Sequence, residues 1–101
     1  MRKFVLICIF SAVGLMAADG ATIYKACAVC HGPNADKIPP GSKATSLLVD
    51  LPKDKIVEDL KGYKAKKLNQ FSAGPIMWAQ SQRYSEADME SVAEYIQTLK
   101  K

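Results

Sequence analysis

Histidine is almost missing from this chain: His31 is the only one in 101 residues. Cysteine is limited to three, tryptophan to one, and arginine to Arg2 and Arg83. Strand-like alternation of apolar and polar residues is absent, which argues against a sheet and for an all-α chain. Neither charge sign dominates. The full chain carries +4, and without Arg2 and Lys3 the balance is 12 basic to 10 acidic residues, or +2. That excess is too small for a nucleic-acid-binding surface. Nor does any apolar run reach the roughly 20 residues that a membrane-spanning helix needs. A domain of about 80 residues buries little more than about 60% of its unfolded surface. With at most one disulfide to help, something else is expected to complete its core.

What is present begins with an amino-terminal pattern. Arg2 and Lys3 precede an apolar stretch from Phe4 to Leu15, interrupted by Ser11 and Gly14, and small residues follow at Ala17, Ala18 and Gly20. This is the arrangement of a secretory signal peptide. The expected division is a cleaved leader over residues 1–18 and one domain over residues 19–101. Cys8 leaves with the leader, so the exported domain keeps Cys27 and Cys30 alone. No stable membrane insertion is expected after cleavage.

Helical spacing recurs three times. "DGATIYKACAVC" places Ile23, Ala26, Cys27 and Cys30 on one face, with Asp19 as cap and Gly32-Pro33 as stop. "PKDKIVEDLKGY" has Pro52 suited to a first helical position and an apolar stripe of Ile56, Val57, Leu60 and Tyr63, with Gly62 marking its end. The last helix opens at Ser85 with Asp88 three residues on, a capping box, and aligns Met89, Val92, Ala93, Ile96 and Leu99. A short turn is expected through "WAQSQR", after a break at Gly74-Pro75. Between the first two helices, residues 31–46 contain Gly32, Pro39, Pro40 and Gly41 and read as a loop. Loops this long in small domains are usually functional or wrapped around something.

The chemistry is concentrated in "CAVCH", residues 27–31. Cysteines three apart on one helical turn face the same way, so both thiols can reach the two vinyl groups of one porphyrin. The adjacent imidazole is then placed under the iron. Cys-x-x-Cys-His is the attachment signature of c-type haem. The competing readings each leave something over. A thioredoxin-type pair wants a βαβ setting; a closed zinc site wants a fourth ligand; a plain disulfide leaves His31 unexplained.

"CAVCHG" near the start of the exported domain, the long loop, the later "GPIM" and the closing "YSEADMESVAEYIQTL" together resemble class I cytochrome c, closest to the short soluble bacterial monohaem type. The resemblance covers nearly all of residues 19–101. It implies an all-α cytochrome c fold of three to five helices around one covalent haem c, with the terminal helices crossing near a right angle. It implies thioethers at Cys27 and Cys30, His31 as proximal iron ligand, and a distal methionine on a loop before the last helix. Met77, 46 residues after His31, matches that position; Met89 sits on the apolar face of the last helix and reads as core. Weaker implications are a carbonyl at Pro39 or Pro40 orienting His31, Trp78 donating to a haem propionate or packing in the core, and Tyr95 packing near Ile23 or Tyr24.

By the same resemblance the protein is a monomeric periplasmic single-electron carrier, not an enzyme. Its expected partners are an upstream quinol-oxidising complex and a terminal oxidase or reductase. The alternative is a haem sensor or peroxidase-like protein with an open distal site, which requires that Met77 not bind iron. Four lysines between Lys61 and Lys67, with Lys37 and Lys43, form either a solvated face or a steering surface for an acidic partner.

Overall fold

A computed structural model describes residues 18–100. The expected leader, apart from Ala18, lies outside the described residues. Among those residues the architecture is four α-helices and one short 3-10 turn, with no strand: α1 (Gly20–His31), the 3-10 turn (Leu48–Asp50), α2 (Lys53–Lys64), α3 (Gly74–Ser81) and α4 (Glu86–Gln97). None of these helices is long and apolar enough to cross a membrane.

The ends of α1 and α4 follow the sequence signals. Asp19 caps α1, accepting from the Thr22 N–H at 3.2 Å. Gly32 ends it with φ at +83°, a conformation that glycine adopts at no steric cost. At α4 the capping box is complete, with Asp88 N–H donating to Ser85 Oγ and Ser85 N–H donating to Asp88 Oδ2, each at 3.1 Å. Three expectations change. Pro52 precedes α2 as its N-cap, and the helix runs past Gly62 to Lys64. Gly62 is therefore not a terminator. A Cβ there would meet Leu68 Cγ at 2.6 Å, so its small size lets the chain fold back on α2. The residue that turns the chain is Lys66, with φ at +61°. Likewise, Gly74-Pro75 opens α3 instead of breaking it, because a proline in the first turn forfeits no helical hydrogen bond.

The helices pack in a chain of contacts: α1 on α4, α4 on α2, α2 on α3. The core between them holds Ile23, Ile56, Val57, Met89, Val92 and Ile96 among others. Each such side chain contributes about 1.5–3 kcal/mol through its removal from water. At the α1–α4 contact Gly20 is buried, and a Cβ on it would run into the Ser91 carbonyl and lie 2.9 Å from Tyr95 Cβ. The rings of Tyr24 and Tyr95 stack nearby, tilted at 43° with centroids 5.7 Å apart, as expected for Tyr95. Because α1 and α3 are joined through α4 and α2, a space is left between them.

Candidate functional site

That space is a cavity of about 430 Å³, within the range typical of small-molecule and cofactor sites. Its lining is mainly apolar and comes from every part of the described fold. From α1 come Cys27, Cys30 and His31; from α2, Ile56, Leu60 and Tyr63; from α3, Ile76, Met77 and Ser81; from α4, Val92 and Ile96. The loop over residues 32–47 wraps one side with Ile38, Pro39 and Pro40, as its length led us to expect. It is tied across to the segment before α3 by the Lys43 N–H, which donates to the Phe71 carbonyl at 2.9 Å.

The structure thus brings Cys27, Cys30, His31 and Met77 to one cavity. Met89 is not among the lining residues and is 1% exposed in the core, which matches its expected role as filler. Met77 does depart from expectation in one respect. It lies in the first half of helix α3, not on a loop, so its backbone is fixed by helical geometry. Both thiols are free. Among the described residues no three of His, Cys, Asp and Glu converge on one point as a metal site requires.

Burial decides the protonation of these groups. It pushes the Cys27 thiol up and the His31 imidazole down from their ordinary values. His31 is thus neutral near pH 7, the form with a lone pair for a metal. Beneath it, the buried Tyr24 hydroxyl donates to the Gly32 carbonyl at 2.6 Å and fixes the end of α1. Burial raises the Tyr24 pKa to about 12, so it remains a donor at any working pH.

Pro39 and Pro40 both line the cavity. The Pro39 carbonyl accepts from Ser42 N–H at 3.0 Å. Trp78 needs a correction: its indole N–H donates to the Leu68 carbonyl at 2.6 Å. The donor is spent on the chain, and the propionate reading falls. What the indole does is anchor α3. Asn69 Oδ1 helps by accepting the Gly74 N–H at 2.9 Å, and the Gln82 amide donates to the Lys64 and Trp78 carbonyls at 2.8 and 3.1 Å.

Sequence reasoning missed Ser81. Its hydroxyl is fully buried, lines the cavity and has no hydrogen-bond partner among the described residues. It stands four residues after Met77, on the same helical face; the spacing was visible once α3 is drawn from Gly74. A buried unpaired hydroxyl costs about 1–3 kcal/mol, so its presence fits a site completed by another group. Val29, Ile38 and Ile76 also line the cavity, yet they are 85%, 38% and 58% exposed. An apolar slot with two thiols and an imidazole on one wall, a thioether on another and an apolar rim fits a haem.

The cytochrome c family model matches residues 17–100. The chain belongs to the cytochrome c family. Cytochrome c-553 of Helicobacter pylori strain J99 is 37% identical over 87 residues, covering 85% of this chain and 83% of that protein. Cytochrome c-553 of Nitratidesulfovibrio vulgaris strain Miyazaki F is 32% identical over 90 residues, covering 89% and 85%. The chain is a small monohaem cytochrome c of class I, an electron-carrying haem protein whose partners are redox proteins.

Proposed function

We propose that this cytochrome is a periplasmic, monomeric carrier of single electrons in a respiratory chain. It holds one haem c per chain through thioethers to Cys27 and Cys30, with His31 and Met77 as axial iron ligands. The observation that carries the ligand assignment is the shared cavity: Met77 lines it with Cys27, Cys30 and His31, whereas Met89 does not.

The bound haem supplies a one-electron couple. The chain's own residues hold it and set its surroundings. Thioether and imidazole ligation suits electron transfer and raises the potential. The apolar walls from Ile56, Leu60, Val92 and Ile96 keep water away. Filling both axial positions leaves no open site for a substrate, so no catalytic residue is assigned. The exposed apolar rim gives a partner a surface beside the cofactor.

The deciding experiment compares the two methionines. Met77→Ala is expected to lower the reduction potential and let carbon monoxide bind the reduced protein. Met89→Leu conserves volume, costs under about 1.5 kcal/mol, and should leave the spectrum unchanged. The reverse pattern moves the ligand to Met89. Carbon monoxide binding by the unaltered protein would favour the sensor or peroxidase reading.

Docking rests on fewer lysines than the 61–67 cluster implied. Lys64 donates its ammonium to the Tyr84 carbonyl, and Lys61 pairs with Glu86 at 3.6 Å. Lys66 and Lys67 are exposed, as are Lys43 and the cavity-lining Lys37. Steering by such charges acts on encounter rate and fades as salt shortens the screening length to about 3 Å near 1 M. Lys66→Glu with Lys67→Glu should slow electron transfer with the physiological partner at low salt only. Equal rates at low salt would place docking elsewhere.

A further inference from the structure

We infer that the export leader is cut between Ala17 and Ala18, and that the ammonium released at Ala18 pairs with Asp88 on α4. The inference rests on the reading of the amino-terminal stretch as a cleaved leader. The sequence reading places the cut after Ala18, although a cut after Ala17 leaves a small residue there as well. The fold chooses between the two. The Ala18 N–H donates to Asp88 Oδ1 at 3.0 Å, and Ser91 Oγ donates to the Ala18 carbonyl at 2.9 Å. Both partners lie at least 70 residues away, on the last helix. Cutting after Ala18 would discard the residue that makes both bonds; cutting before it keeps both.

The chemistry at the cut strengthens the bond. Water adds across the Ala17–Ala18 peptide, leaving a carboxylate on Ala17 and an ammonium on Ala18. The nitrogen changes from a neutral donor to a charged one beside a carboxylate, and charge-assisted hydrogen bonds are roughly twice as strong as neutral ones. A cation at the start of α1 is disfavoured by the helix dipole, but Asp88 on one side and the Asp19 cap on the other offset it. Asp88 is already set up for this role. The Ala18 N–H first, and then the Ser85 N–H, hold its carboxyl below the ordinary carboxylate range. One side chain thereby joins the new terminus to the α4 capping box, and the first residue of the exported protein is fastened to its last helix.

The test uses the full precursor, exported and haem-loaded in a bacterial host. Terminal sequencing and intact mass of the purified protein should show Ala18 as the first residue. A protein beginning at Asp19, or at another position, overturns the inference and leaves the leader reading standing. Retention of Met1 overturns both. The pairing is read separately by a double-mutant cycle. Asp88→Asn should lower the thermal midpoint by several degrees in the protein starting at Ala18. It should lower it clearly less in a product of a precursor lacking Ala18, which starts at Asp19. Equal losses in the two backgrounds would overturn the pairing, because Asp88 would then act only through the capping box.

Discussion

Where α1 meets α4, the contact is made by side chains that leave water. Ile23, Val92, Ala93 and Ile96 are buried, the two tyrosine rings stack, and Gly20 lets the backbones close. Around the cavity the forces differ. The segment from Lys64 to Tyr84 is fastened mainly by side chains donating to backbone carbonyls, at Leu68, Tyr84, Lys64 and Trp78. It also carries two non-glycine residues at positive φ, Lys66 and Ser72. Each such hydrogen bond contributes only about 0.5–1.5 kcal/mol net. One half therefore holds together by its own burial, and the other depends on what fills the space it surrounds.

Removing the covalent anchor should break the comparison most visibly. Cys27→Ser with Cys30→Ser should yield protein whose haem is lost on acid–acetone extraction. Its amides from Lys64 to Tyr84 should lose hydrogen-exchange protection before those of α4. Uniform loss in both halves would show that the two are not separable. In the unaltered protein the haem should survive extraction, with no free thiol.

A smaller effect, confined to the other half, is expected from Gly20→Ala. The new Cβ collides with backbone at Ser91, which cannot rotate away, so overpacking should cost about 1–3 kcal/mol. Denaturant unfolding should register this while the haem spectrum stays as it was. A change in axial ligation would mean that strain passes from the helix contact to the cavity.

Ser81→Ala is the gentlest probe. With the site filled, the hydroxyl is expected to find its partner there, so the variant should lose about 1 kcal/mol and its reduction potential should shift. A gain in stability at unchanged potential would show that the hydroxyl remains unpaired, and would remove Ser81 from the site.

Local chemistry is what the sequence displayed well. Cys27, Cys30 and His31 are neighbours on one helical turn, so their joint role needs no tertiary contact to be seen. The same holds for the Asp19 cap and the Ser85–Asp88 box, whose partners are three residues away. Family resemblance then supplied the cytochrome c arrangement of the helices and the expectation for Met77. Less legible were the elements whose signals point two ways. Gly62 reads as a terminator until Leu68 is found against it, and Gly74-Pro75 reads as a break until α3 is seen to start there.

By itself, then, the sequence determined the all-α class, the amphipathic faces of α1, α2 and α4, and the thiol–imidazole motif, because each is written in residues within a turn or two of one another. Only the tertiary structure decided which groups face the cavity and which are spent elsewhere. It put Met77 at the cavity and Met89 in the core, although both are methionines in helices. It committed the Trp78 N–H to Leu68 and the Lys64 ammonium to Tyr84, and it left the Ser81 hydroxyl without a partner among the described residues. The reason is physical: a buried donor must find its acceptor across the fold, over sequence separations that no local pattern encodes.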